Sequence, residues 1–161
     1  MTTRGQIPSK VKKGAIPVQD RLKKLNETEH FAVLATIDNG RPYTSLVAYA
    51  VTPDLKKFVF TTPKDTRKYK NILNSGYVAL LIDNRLKSDN NLMNTEAMTI
   101  TGIAKPLRRG KIRDEYSRIF LEKHPDFEEF IKSATTAIIA VDITQCVHVS
   151  EFQTITVWDC C

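Results

Sequence analysis

The stretch from Phe31 to Val51, FAVLATIDNGRPYTSLVAYAV, places the strongest constraint on the fold. Phe31, Val33, Ala35 and Ile37 alternate with their neighbours, the two-residue period of a strand with distinct faces. Asp38-Asn39-Gly40-Arg41 follows. Asn-Gly accepts the positive φ of a tight hairpin turn, so the chain returns antiparallel through PYTSLVAYAV. TPDLKK then turns it into a third strand, KFVFTT. Such a meander leaves edges that later segments must pair or cover.

The later segments supply those partners. YVALLID, from Tyr77, reads as a buried strand by its continuous apolar run. TEAMTITGIAKP is β-rich, and Gly102 inside it marks a bulge or a close backbone approach. TAIIAVDITQCVHVSEFQTITVW is two strands or one bent strand. Val18, Leu22 and Leu25 stand at helical spacing in VQDRLKKLN. DTRKYKNILNSG reads as a helix capped by Asp65 or Thr66, apolar along Tyr69, Ile72 and Leu73, and stopped at Ser75-Gly76. GKIRDEYSRIFLEKHPDFEEFIKS gives two helices broken at Pro125, and NRLKSDNNLMN is a polar loop. The order β-β-β-α-β-β-α-β-β has too few crossing helices for a doubly wound parallel sheet. A mainly β, antiparallel barrel with peripheral helices is expected, since closure removes exposed edges.

Charge divides the chain unevenly. The formal net charge is +6, and residues 1–25 alone account for it, with Arg4, Lys10, Lys12, Lys13, Arg21, Lys23 and Lys24 against Asp20. We therefore expect a basic arm over residues 1–17 and a single domain over 18–161. The arm is a solvated tail or a contact for nucleic acid or an anionic surface. The body lacks the basic–aromatic interleaving of a single-strand binder, which argues against nucleic acid as the main partner. No apolar run approaches the ~18 residues of a membrane span, and no apolar region follows the first basic residues as in a signal peptide. Three cysteines, Cys146, Cys160 and Cys161, do not form a disulfide framework, so a reducing cytoplasm is expected.

Conventional catalytic signatures are missing. His30, His124 and His148 share no metal-ligand spacing and are expected at the surface or across strands. With six glycines in the chain there is no GxGxxG, Walker A loop or GxSxG elbow. Cys146 falls in a strand pattern and is expected in the core. An enzyme without an acid–base set needs a cofactor to carry the chemistry.

The end of the third strand is the candidate for holding one. In TTPKDTRKYKNI, alternation sends Thr61 and Thr62 to opposite faces, so one hydroxyl can meet a ligand while the other secures the turn. Thr66, Arg67 and Lys68 open the helix, where free backbone N–H groups favour an anion. Arg67 suits bidentate phosphate contact and Lys68 a point charge, whereas Lys64 and Lys70 read as solvated. On these residues alone a solvated basic helix start explains the stretch equally well.

LATIDNGRPYTSLV, FTT, TRKYKNIL and GYVALLID, in this order and spacing, resemble the core of the pyridoxamine 5′-phosphate oxidase-like family, the FMN-binding split barrels. The likeness covers about Phe31 to Leu107. It implies a six-stranded, Greek-key split barrel that forms a homodimer with FMN at the interface. By the same likeness Ser45, Leu46, Val47 and Ala48 lie along the flavin, partly through backbone groups. Thr61 and Thr62 face the ribityl chain and phosphate, Arg67 and Lys68 match the family's phosphate-binding pair, and Thr66 replaces its usual serine. The partner subunit closes the site with residues around Thr95 to Met98 and with Phe152 and Trp158, while plain core packing explains Trp158 equally well. The C-terminal Arg-x-His motif of the vitamin B6 oxidases is missing, since no arginine follows Lys132. The resemblance thus implies an FMN-dependent oxidoreductase acting on a small molecule other than pyridoxamine phosphate. The alternatives are a flavin-binding protein without turnover, a reductase using deazaflavin F420, and a nucleic-acid-binding barrel that uses the basic arm. The paired histidine motif of haem-holding relatives is missing as well.

Overall fold

The computed structural model describes residues 16–151 and 154–160. Nearly all of the basic arm, and Phe152, lie outside them.

The opening hairpin forms as its sequence requires. β1 (Phe31–Asp38) pairs with β2 (Arg41–Val51) from Phe31↔Ala48 to Asp38↔Arg41. Asn39 and Gly40 both take positive φ, 49° and 78°, which matches the twist of the flanking strands. The remaining strands are β3 (Lys57–Pro63), β4 (Tyr77–Asp83), β5 (Ala97–Pro106), β6 (Thr136–Ser150) and β7 (Thr154–Asp159). Their order is β3-β2-β1-β4-β5-β6-β7, and β3 pairs again with β6 from Lys57↔Asp142 to Pro63↔Thr136. Six antiparallel strands therefore close into a barrel, with β4 beside β1 as in a Greek key and β7 outside on β6.

Inside the barrel, Leu34, Tyr49, Phe58, Phe60, Leu80, Ile82, Met98 and Ile100 are fully buried. Helix α1 (Val18–Thr28) adds Val18, Leu22 and Leu25 to this core. Helices α3 (Lys111–Lys123) and α4 (Glu128–Lys132) cover part of the outside, packing Phe120 and Ile131 on Ala50, Val59 and Ile138. That cover is why β3 and the first half of β6 are apolar on both faces. The remaining helix, α2 (Arg67–Asn74), links β3 to β4.

Three expectations change. YVALLID is not buried throughout: its residues alternate, and Tyr77 is 62% exposed. Its apolar outer residues lie on a sheet face that the helices leave uncovered. In α2 the buried pair is Asn71 and Ile72, while Leu73 is exposed; Asn71 Nδ2 donates to Thr36 Oγ1 at 3.0 Å. His124 is neither at the surface nor across strands. It is buried at the end of α3, donating from Nε2 to the Tyr49 carbonyl at 2.7 Å. His148 is cross-strand but buried, 2.8 Å from the Glu96 carboxylate that Arg21 also holds. Burial alone would raise the Glu96 carboxyl; the hydrogen bonds from His148 and Arg21 outweigh it and hold it below its usual range. Cys146 is in the core, as expected, and burial pushes its thiol up.

Lys123 is the least comfortable charge described. Its Nζ donates to the Glu29 carbonyl at 2.7 Å and Asn26 Oδ1 at 3.3 Å, and lies 3.7 Å from the Tyr49 ring centre. Burial lowers its amine to about 7, against the pull of Glu29. The unfolded chain then binds more protons than the folded one between about 7 and the ordinary 10.5. Stability from this group must rise with pH across that window. We expect the Tm of the unmodified protein to rise from pH 7 to 9 relative to that of Lys123→Met; parallel Tm curves would refute the assignment.

Candidate functional site

The barrel opens at a seam between β2 and β3, although β1 and β4 also pair over three positions only. β2 and β3 pair only over Tyr49↔Phe60, Ala50↔Val59 and Val51↔Phe58. Beyond that point β2 stays on β1 and β3 stays on β6, with no pairing between Arg41–Ala48 and Thr61–Pro63. The facing edges of these two segments thus carry backbone donors and acceptors without a ladder to satisfy them. Ser45 stands on the open edge of β2, and its buried Oγ has no hydrogen-bond partner. An enclosed hydroxyl left unpaired is costly, so it marks a place where a polar ligand group is useful.

At the mouth of the seam the chain turns from β3 into α2. Thr62 is fully buried, and its Oγ1 is 2.8 Å from Thr66 Oγ1. Thr66, in extended conformation, caps α2: its Oγ1 accepts from Tyr69 N at 3.4 Å and donates to the Pro63 carbonyl at 2.9 Å. Thr62 is therefore a buried support of the cap, with no face toward solvent. Thr61 lies on the opposite side of the strand and is buried as well. Thr62 is thus the hydroxyl that secures the turn.

Arg67 and Lys68 occupy the first turn of α2, which contains no acidic residue. Arg67 is exposed and reaches back to the hairpin, where its guanidinium pairs with Asp38 (Nε to Oδ2, 2.9 Å) and covers the Tyr43 ring at 4.7 Å. Lys68 is half-buried and makes no ion pair among the described residues. Asp38 was not foreseen as part of this cluster. Its distance in sequence hides it, although hairpin pairing and the α2 start both bear on the same corner.

The other candidate residues separate by strand face. Val47 turns inward, whereas Leu46 is 66% exposed and Ala48 rests at the edge of the cluster under α3. Glu96 and Met98 are buried within their own barrel, which leaves Thr95 and Ala97 of that segment less enclosed. Trp158 sits on β7 opposite Cys146 and packs on the core, while Thr61 is opposite Ile138. Eight residues along β6 separate the two positions, roughly 26 Å of strand. The fold therefore gathers Ser45, Leu46, Thr61, Thr62, Thr66, Arg67 and Lys68 around one seam and holds Trp158 away from it. Among the described residues no group of three or more His, Cys, Asp or Glu is placed to hold a metal.

A pattern for pyridoxamine 5′-phosphate oxidase matches residues 18–150. The chain belongs to that family. Several solved structures have the same barrel. A protein from Clostridium acetobutylicum, related to general stress protein 26 and of the pyridoxinephosphate oxidase family, superposes with a TM-score of 0.67 at 14% identity, covering 88% of this chain and 93% of its own. A heme binding protein from Mycobacterium smegmatis gives 0.80 at 13% identity over 90% of this chain, which spans 59% of that protein's length. Campylobacter jejuni ChuZ gives 0.76 at 15% identity, with 89% and 59% covered. At these identities the likeness concerns the fold. No curated protein matches in sequence. No described helix of this family member is long and apolar enough to cross a membrane.

Proposed function

We propose that this family member is a homodimeric FMN-binding protein that performs flavin-dependent redox chemistry on a small molecule. The observation that carries the reading is the seam: an unpaired edge of β2 with a buried, partnerless Ser45 hydroxyl, facing a capped helix start that bears Arg67 and Lys68. A flavin needs the same set of groups, namely backbone donors and acceptors for its ring edge and cations with free N–H groups for its phosphate. In this reading Arg67, Lys68 and Thr66 hold the phosphate, Thr61 the ribityl end, and the β2 backbone from Ser45 to Ala48 orients the ring. Bound FMN would supply hydride or electron transfer at its N5. The protein's part is orientation and exclusion of water.

A second subunit supplies that exclusion. Leu46, Val33 and Leu81 are register neighbours across β2, β1 and β4, and with Phe31 and Leu86 they line one groove of about 340 Å³. Phe31, Leu46 and Leu86 are all more than half exposed, an apolar patch of the kind that marks an interface. In the dimer, Trp158 would reach the flavin only from the partner. Leu46→Asp is expected to turn the dimer into a monomer on sedimentation analysis; a dimer that survives this charge would place the interface elsewhere.

The redox reading is tested by mixing the FMN-loaded protein with NADH or NADPH without oxygen. Loss of the flavin's visible band, and its return over repeated cycles with an acceptor, supports turnover. A band that neither donor bleaches would leave a flavin-storage or electron-transfer role in its place.

A further inference from the structure

A second concave site lies at the barrel rim, where β5 leads into α3 and α4 leads into β6. Its volume is about 430 Å³, and Lys64, Arg108, Arg109, Arg113 and Lys132 stand in its wall with no acidic residue among its lining. Beyond Leu25 the chain has as many acids as bases, so this is a local concentration of charge rather than a basic body. Neighbouring cations around one concavity repel each other, and a cation in the first turn of a helix, as Arg113 is in α3, opposes the helix dipole. Internal partners offset little of this. Lys132 meets Glu128 at 3.0 Å, and Arg113 Nη2 donates to the Thr136 carbonyl at 3.5 Å. Lys64, Arg108 and Arg109 make no ion pair among the described residues. Folding gains nothing from the arrangement; an anion would.

The rest of the wall narrows the chemistry. Tyr69, Ser133 and Thr136 bring hydroxyl groups among the cations, and Leu107 and Ala137 bring apolar surface. Forked guanidiniums beside hydroxyls suit a phosphate, and the apolar side suits an organic body attached to it. The size is within the range of small-molecule sites, about 300–1,000 Å³. The site is also distinct from the seam. Arg67 turns toward Asp38, whereas Tyr69, two residues later and about 200° around α2, faces the rim cavity.

We infer that the rim cavity binds a phosphorylated small molecule through its phosphate or diphosphate group. The test is calorimetric titration of the full chain carrying Arg67→Ala and Lys68→Ala with sodium pyrophosphate at constant ionic strength. Those two changes remove the seam's cations, so the outcome does not depend on FMN. Saturable binding is expected, and adding Arg108→Ala and Arg109→Ala is expected to weaken it at least about tenfold. Both arginines are exposed, and an unchanged Tm checks that the fold survives. A second variant, Lys64→Ala with Lys132→Ala, should weaken binding in the same way. No saturable heat in the parent chain, or affinity unchanged in both variants, overturns the inference. FMN binding that survives Arg67→Ala and Lys68→Ala, with pyrophosphate binding intact, would count against the seam alone.

Discussion

Replacing Arg67 and Lys68 together by alanine is expected to lower the affinity for FMN about a hundredfold, with riboflavin affinity held within about threefold. The two ligands differ only in the phosphate, so the ratio isolates the contact these residues are assigned. Arg67 contributes little to folding, since it is exposed and its ion pair with Asp38 is a surface pair of small worth. The same pair supplies a second sign to check. Asp38 competes with phosphate for the Arg67 guanidinium, so Asp38→Asn should leave FMN affinity unchanged or raise it severalfold. Equal losses for FMN and riboflavin in the double variant would mean that Arg67 and Lys68 act elsewhere.

The largest stability effect is expected at Gly102→Ala. The register of β5 against β6 shifts between Thr101 and Gly102, and the strands there approach so closely that an added Cβ would lie 2.3 Å from the Asp142 carbonyl oxygen and 2.7 Å from Val141 Cγ1. The first of these neighbours is backbone in a closed barrel, which cannot swing aside as a flexible side chain does. We expect a loss of about 3 kcal/mol, seen as a fall in Tm of roughly 6–12 °C for a chain of this size. Gly40→Ala provides the contrast. Its φ of 78° is unfavourable for alanine, but nothing lies within 4 Å of the new Cβ, so the cost is about 1–2 kcal/mol. A Gly102→Ala protein as stable as the parent would show that the bulge relaxes.

What the sequence made legible was local. Asn39-Gly40 set the hairpin and its register, Thr66 announced the start of α2, and Gly102 marked the bulge, because turn, cap and bulge chemistry each act within a few residues. The number of antiparallel strands argued for closure, and the family resemblance supplied the likeness of the seam to a flavin site. Features made by distant residues stayed hidden. Arg21, Glu96 and His148 meet from α1, the residue before β5, and β6, and Lys123 meets Glu29 across 94 positions. Lys64 is exposed, as its reading as a solvated charge expects, but its place in the rim cavity stayed hidden, since its companions come from α3, α4 and the segments beside them. The continuous apolar run of YVALLID predicted burial on both faces; one of those faces instead belongs to the uncovered sheet that we assign to a partner.

The central claim is that the seam between β2 and β3 holds FMN in a dimer. The most direct measurement is incubation of the purified chain with FMN, followed by gel filtration monitored in the flavin's visible band and at the protein's ultraviolet band. The account predicts that flavin elutes with the protein at the dimer's volume, one FMN per protomer, and that Arg67→Ala/Lys68→Ala removes it. A protein that elutes colourless and takes up no FMN, or that takes up haemin in its place, would contradict it.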